Sequence, residues 1–573
     1  MTGSTTLPSA TTLRVRRVPD WCATFAIASF GAFLSIVLSG QIGGQLNNFY
    51  HLSILAGLYN EPQFANDLFI QSLRFYSSGF WQLLSDRVHG QDVYAILFVF
   101  QILSRTLLFL GFLSWASLLG LESPKERLVF TALLAVSSTL HAFSNAGGGG
   151  LLINNFTQSE LANGTTLLAL AWAARGRVTA AFAMNGVTFF INAFIAVWTA
   201  VPLAFILLSQ WRRHKWTWTA LLLQGCAGLA LFGLLAAPVV YNILVNPYVR
   251  PATDFDYITY LTSFFPDHFL IWTISFREAC LLASIFCCGV IAAQMLRAPN
   301  SYLTAALCGA ATVWIFGAFL PFATHARMLL NLHLLRSGSS VHLLAATAIA
   351  TLSTRWIFSR DETERLVWAP VLVLLSCSIK LLLPLAIPLL LWHRTSPALS
   401  SSWRVYAPAA LLLPVVLYNA ARIYHAVTSD RAYVAQRDEW QAVGTWARTQ
   451  TKPDAVFLAP PGALRDSGVF PKTSADQEQL FEGGVVFPYF SHRQAWVFSQ
   501  AGAAVMWAPA YYQTWQTRIT EVRTLKTLPQ RLSYAADHGI AYVVDGCTQP
   551  YSLPPAARFD RLCVFAVPGV STP

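Results

Sequence analysis

The chain has 573 residues, 55% of them hydrophobic and only 11% charged, with a mean hydropathy of +0.48. Water-soluble proteins carry roughly a quarter charged residues, so this composition excludes that class and indicates a polytopic α-helical membrane protein. The formal net charge of +11 does not mark a nucleic-acid binder, because the basic residues fall in short clusters between apolar runs, as they do in cytoplasmic loops.

The first twenty residues, MTGSTTLPSATTLRVRRVPD, are polar and then basic. The apolar run behind them lacks a small-residue cleavage site and reads as a retained first helix, after a cytoplasmic tail over 1–20. Apolar segments follow at 21–40, 93–120, 127–143, 161–174, 178–193, 195–210, 217–245, 271–296, 302–322, 341–358, 366–379, 380–393 and 405–423. The pairs 178–193/195–210 and 366–379/380–393 read either as two spans or as one long helix. Basic residues flank both pairs, Arg175 and Arg177 against Arg212, Arg213 and Lys215, and Arg365 against Arg394. An even number of crossings between cytoplasmic ends then makes each pair two spans.

With the N-terminus inside, the inside loops also hold Arg14, Arg16, Arg17, Lys125, Arg127, Arg297, Arg355, Arg360 and Arg404. About thirteen crossings carry 21–423 through the membrane and leave the C-terminus outside. Three large segments then face outward: 41–92, 246–270 and the tail 424–573. In the tail, AVFLAPP and IAYVVDG read as short strands, and 431–449 and 512–526 as helices, which predicts a compact extracytoplasmic α/β domain. Seven cysteines lie in apolar runs. Cys547 and Cys563 lie in the polar tail and are able to pair if it faces an oxidising compartment. No CxxC pattern occurs.

The first outward segment contains YHLSILAGLYNEPQFANDLFI over 50–70, with His51, Glu61, Asn66 and Asp67 among apolar residues. The spacing predicts interfacial helices that hold Asp67 near the headgroup plane. A carboxylate there is able to take a proton from an attacking hydroxyl, and Asn66-Asp67 equally suits the cap of a helix beginning at Leu68. In the second outward segment, Asp254 and Asp256 form an Asp-x-Asp pair, a way of presenting two carboxylates to a divalent cation such as Mg or Mn beside a phosphate. Acidic loop residues of no function and a pairing with Arg250 fit the same pattern.

Residues 325–344 carry His325, Arg327, His333, Arg336 and His342 on a short amphipathic stretch entering a helix. Outward basic residues run against the charge bias. Phosphate binding accounts for them, and so does snorkelling to ordinary headgroups. Glu160 ends HAFSNAGGGGLLINNFTQSE, whose four glycines permit close backbone approach beside a cluster of hydrogen-bonding side chains. In the tail, Arg493 sits among aromatics in FPYFSHRQAW, where sugar stacking with anion binding and a domain core are competing explanations. No Ser-x-x-Lys, Gly-x-Ser-x-Gly, Walker or HExxH pattern is present, so hydrolase and ATPase activities have no support.

These regions in this order resemble bacterial multi-spanning proteins of the GT-C glycosyltransferase superfold. The shared landmarks are His51, Leu55 and Asn66-Asp67-Leu68-Phe69; a Gly-rich turn followed by FTQSELA at 156–162; His333 to Ser337 entering a helix; and Ser491-His492-Arg493. Where such relatives have Phe-His-Pro, this chain has Phe190-Ile191-Asn192. The resemblance implies a bacterial inner-membrane, inverting-type glycosyltransferase that takes its sugar from a polyprenyl-phosphate donor on the periplasmic face. The acceptor would be a glycan, lipid or protein of the cell envelope. Asp67 is then the acceptor base, with His51 and Glu61 beside it and Asn66 at the substrate. Arg336, His333 and Arg327 hold the donor phosphate. Asp254, Asp256, Glu160 and Arg493 contribute to substrate binding, with Asp254 and Asp256 as the candidate metal ligands. A flippase of lipid-linked glycan and a noncatalytic envelope scaffold are the competing readings.

Overall fold

A computed structural model describes residues 20–45, 48–214, 217–249, 255–296, 301–393, 403–464, 470–472, 474–547 and 553–570. The basic residues Arg14, Arg16, Arg17, Lys215, Arg250, Arg297 and Arg394 lie outside the described residues, as does Asp254. Helices dominate. Seven of them, among the described residues, are long and apolar enough to cross a membrane: Asp20–Ser39, Val93–Leu118, Ala193–Trp211, Leu222–Leu244, Phe276–Met295, Tyr302–Ala323 and Pro408–Gln450.

The remaining expected spans are shorter or more polar for local reasons. Residues 127–143 divide into the helix Pro124–Val136, started by a Ser123/Glu126 capping box, and a turn leading to a hairpin. The pair 178–193/195–210 is two helices, Val178–Ile191 and Ala193–His214, interrupted at Asn192. The Asn192 amide oxygen accepts from the Phe194 and Ile195 amides and starts the second helix. The pair 366–379/380–393 also divides, after the helix Ala369–Cys377 and before a 3-10 turn leading to Ala386–Trp392. Gly338–Ile357 is a twenty-residue helix rich in Ser and Thr, buried along almost its whole length.

Arginines tie one end of the bundle together. Arg355 donates to the carbonyls of Leu119 and Leu296, Arg175 to Ser114 and Ser117, and Arg127 to Asp20. The helix ends beside the basic loops therefore share one face, as the charge bias predicts.

Segments 41–92 and 255–270 and the tail gather together, and one continuous apolar core runs through all three. Phe49 packs edge-on against Phe498 at 5.4 Å, Tyr260 donates to the Gly502 carbonyl at 2.8 Å, and Tyr489 donates to Val88 O at 3.2 Å. The expected boundary at 423/424 falls inside a 48-residue helix, Trp403–Gln450, which spans about 72 Å at 1.5 Å per residue.

The C-terminal segment also holds a five-stranded mixed sheet. With β1 (Ala142–Phe143) and β2 (Gly150–Leu151) forming the hairpin of the Gly-rich stretch, the later strands are β3 (Val456–Leu458), β4 (Gln494–Ala495), β5 (Tyr542–Gly546), β6 (Ala557–Arg558) and β7 (Leu562–Ala566). Their order is β4-β3-β5-β7-β6, parallel at β4-β3 and β3-β5 and antiparallel beyond. Cys547 and Cys563 are joined by a disulfide beside the β5–β7 pair.

Candidate functional site

Arg336 sits on a 3-10 turn, Leu334–Ser337, that enters the buried helix Gly338–Ile357. His333 starts the turn with a left-handed φ of 53°, and its carbonyl accepts from the Arg336 amide at 2.9 Å. The tip of the β1–β2 hairpin presses onto this turn. A Cβ at Gly147, where φ is 153°, would lie 2.1 Å from the Leu335 carbonyl oxygen, so only glycine permits the approach. Gly148, at φ 64°, faces the His268 ring in the same way.

The facing wall comes from the first outward segment. The phenols of Tyr50 and Tyr76 are close enough to Arg336 to feel its charge. Tyr76 Oη lies 3.3 Å from His51 Nε2 and accepts from Gln158 Nε2 at 3.3 Å. His51 stacks flat on Trp81 at 4.0 Å, and Trp507 of the tail meets Tyr76 edge-on at 5.2 Å. His333 lies between Phe194 and Phe269.

The electrostatics of this chamber are one-sided. Burial pulls His51 and His333 down to about 3, and pulls His268 well below the ordinary histidine range, with the Arg336 charge adding to the last two. All three imidazoles are neutral near pH 7. Burial also lowers Arg336, but a guanidinium stays protonated. Its side chain has no hydrogen bond or ion pair among the described residues, and its Nε is sealed from solvent without a partner. An unpaired cation held this way is costly unless an anion joins it.

Asp67 faces elsewhere. It caps the helix Leu68–Ser72, accepting from the Ile70 amide at 3.0 Å, so the capping expectation is met. Burial pushes its carboxyl up to about 6, partly offset by the Ile70 amide and by Arg518. With Arg518, Arg493, Tyr511 and Trp496 it lines a cavity of about 20 Å3, room for one water. Its charged neighbour is Arg518, which stacks over Trp496 at 3.7 Å, rather than Arg336.

The other candidates have visible structural roles. Glu61 meets His492 Nδ1 at 2.5 Å and accepts from Gln63, pinning the first outward segment to the tail. Asn66 is exposed. Arg493 donates to the Arg448, Thr451, Ser491 and His492 carbonyls and closes the C-terminal end of the long helix. Glu160 pairs with Arg105 inside the helix bundle at 2.8 Å. Asp256 caps Tyr257–Ser263, accepting from the Ile258 and Thr259 amides and the Thr259 hydroxyl, with His325 at 3.8 Å. Arg327 donates to the Val249 carbonyl at 3.1 Å. Among the described residues no group of three or more His, Cys, Asp or Glu is arranged to hold a metal ion.

His333 is the candidate whose expected role changes most. Its Nδ1 lies 2.5 Å from the Asn331 carbonyl, so the Nδ1–H donates there and the neutral ring leaves Nε2 an acceptor. Such a ring does not donate to a phosphate oxygen; it fixes the turn that aims Arg336.

Sequence patterns singled out Arg336, His333 and His51 but missed Tyr50, Tyr76, Gln158 and His268. These come from three separate segments with no shared spacing. The Gly-rich stretch was the one local signal, since its glycines mark the close approach to the Arg336 turn.

No family model matches the sequence, and no curated protein matches it. Among solved structures, a crystal structure of ArnT from Cupriavidus metallidurans in the apo state is similar, at 12% identity and a TM-score of 0.41, over 96% of this chain and 98% of that one. Nothing about individual residues follows from a likeness at that level.

Proposed function

We propose that this chain is a membrane glycosyltransferase of the GT-C type. In this reading it moves a sugar from a polyprenyl-phosphate donor to a glycan, lipid or protein acceptor on the extracytoplasmic face of a bacterial inner membrane. The observation that carries it is Arg336: a lone guanidinium, enclosed by tyrosines and neutral histidines, at the end of the bundle away from the arginine-tied face. A phosphate oxyanion is the complementary ligand. The Cys547–Cys563 disulfide fits a tail in an oxidising compartment.

In the reaction, an acceptor hydroxyl attacks the anomeric carbon, the bond from that carbon to the phosphate oxygen breaks, and polyprenyl phosphate leaves. Arg336 stabilises the charge that develops on the phosphate. His333 and the Gly147 contact hold the arginine turn, and His51 and Tyr76 line the sugar's approach. Asp67, raised to about 6, has the proton affinity of a general base working near neutral pH, and we assign it to the acceptor. Its carboxylate now faces Arg518, so this role requires the acceptor to enter from the tail side. A divalent cation would depend on Asp254 together with Asp256.

The test is transfer from a polyprenyl-phosphate sugar by the full chain in membranes. Arg336→Ala is expected to abolish it, and Asp67→Asn to reduce it at least a hundredfold, about 2.7 kcal/mol of transition-state stabilisation. Full activity in both variants refutes the assignment. A flippase would instead lose lipid translocation in Arg336→Ala, with no new glycosidic product formed by the parent chain.

A further inference from the structure

A second cavity, of about 380 Å3, opens between the outer end of the helix Asp20–Ser39, the base of the β1–β2 hairpin and one face of the long helix. Leu38 and Ser39 line it from the first, His141 and Asn155 from the second, and Arg422 and Asp430 from the third. Its volume is that of a small-molecule site. It is separate from the Arg336 chamber, because the hairpin's tip meets that turn and its base lines this cavity.

Its depth follows from helix geometry. Arg422 lies nineteen residues beyond Trp403, about 29 Å at 1.5 Å per residue, close to the thickness of a hydrocarbon core of about 30 Å. Ser39 ends the first helix, whose other end, Asp20, pairs with Arg127 on the arginine-tied face. Both walls therefore reach the far hydrocarbon boundary together. At the cavity's edge, Phe143 is 49% exposed.

The chemistry inside is that of an anion site with polar company. The Arg422 guanidinium bonds only to Asn419 of its own helix, at 3.0 Å, and lies over Tyr418; no carboxylate pairs with it among the described residues. Asp430 is already committed, accepting from the Gln41 amide at 2.9 Å and from Asn154 Nδ2 at 3.1 Å. Lys380, shared with the field of Glu278, adds a cation near Arg422. His141 and Asn155 are 8% and 1% exposed, and His141 Nδ1 and Asn155 Oδ1 have no hydrogen-bond partner.

We propose that this cavity is a headgroup site for an anionic, phosphate-bearing lipid of the outer leaflet, with the phosphate on Arg422. A headgroup O–H, the phosphate's own in phosphatidic acid, donates to His141 Nδ1 or Asn155 Oδ1, and the acyl or prenyl chains run down the groove between the first and the long helix. The site stands apart from the transferase reading and does not depend on it.

The test uses the full chain in phosphatidylcholine nanodiscs doped with phosphatidic acid, with retained lipid counted by native mass spectrometry. The parent chain is expected to retain phosphatidic acid over phosphatidylcholine. Arg422→Gln, and Ala426→Trp, which fills the cavity from one wall, are each expected to reduce retention about tenfold. Thermal melting of each variant confirms folding, and either variant suffices if the other fails to fold. Inorganic phosphate is the second arm: a lipid site resists displacement by it, because the chains hold the headgroup. Unchanged retention in the folded variants overturns the proposal. Arg422-dependent binding of inorganic phosphate without selective retention of phosphatidic acid overturns it in favour of a soluble anion.

Discussion

Arg105 Nε donates to Glu160 Oε1 across 2.8 Å inside the helix bundle, and the same guanidinium donates to Ser39 Oγ and to the Ile153 carbonyl. One buried ion pair thus joins the first helix, the helix Val93–Leu118, the hairpin base and the helix Gln158–Ala174. Removing one partner leaves a charge uncompensated in the interior. Glu160→Leu is expected to destabilise the fold by about 3–5 kcal/mol, and Arg105→Met/Glu160→Leu together to recover much of that loss. Melting of the purified variants, with a double-mutant cycle, checks it.

Arg336 should behave in the opposite way. Its charge has no partner, so Arg336→Met is expected to leave the fold unharmed or to stabilise it by on the order of 1–3 kcal/mol while removing donor binding. A variant that melts higher and binds no polyprenyl phosphate meets the expectation. One that melts far lower identifies Arg336 as a structural residue.

Asp67 separates capping from chemistry by the choice of replacement. Asn keeps an oxygen for the Ile70 amide, whereas Ala loses the cap and about 1 kcal/mol. Loss of transfer in Asp67→Asn at parental stability therefore reports the carboxylate itself. The carboxyl is raised to about 6 in the fold, so its favourable contribution to stability is fully present below the unfolded value near 4 and is lost as pH rises through about 6. In membranes, the transfer rate of the parent chain should rise with pH through about 6, and the residual rate of Asp67→Asn should not.

Gly147→Ala tests the hairpin against the arginine turn. Its Cβ would meet the Leu335 carbonyl at 2.1 Å, so the turn must move. A destabilisation of about 2–4 kcal/mol with a disproportionate loss of donor affinity is expected, measured as a rise in KM for the donor at partial occupancy of the fold. Gly150→Ala, whose nearest neighbour is the flexible Ile153 side chain at 3.1 Å, is the milder control.

The disulfide tests the outward core that the tail shares with segments 41–92 and 255–270. Cys547 and Cys563 are separated by 16 residues, a loop for which closure entropy amounts to about 3 kcal/mol. Cys547→Ser/Cys563→Ser should lower the melting temperature of the full chain and speed limited proteolysis within the tail, and reductant should reproduce the shift in the parent chain.

The amino-acid sequence by itself determined the solvent and which helix ends lie together. Its apolar runs require a bilayer, and its basic clusters arrive at one end of the bundle, where Arg127, Arg175 and Arg355 close helix ends. The Asp67 cap was legible too, because a cap is a contact between near neighbours in the chain, whereas the Asp256 cap was not read from the Asp-x-Asp pair. Tertiary structure alone decided which charges meet. Asp67 met Arg518 and not Arg336, Glu61 met His492, and Arg493 closed a helix, since each of those partners is brought close by folding rather than by spacing. It also shortened several expected spans: the helix within 127–143 ends at Val136, and that within 366–379 runs only over Ala369–Cys377. Hydropathy is a sum over neighbours and survives without a fold. An unpaired arginine is defined by what does not surround it, and that exists only once the chain has closed.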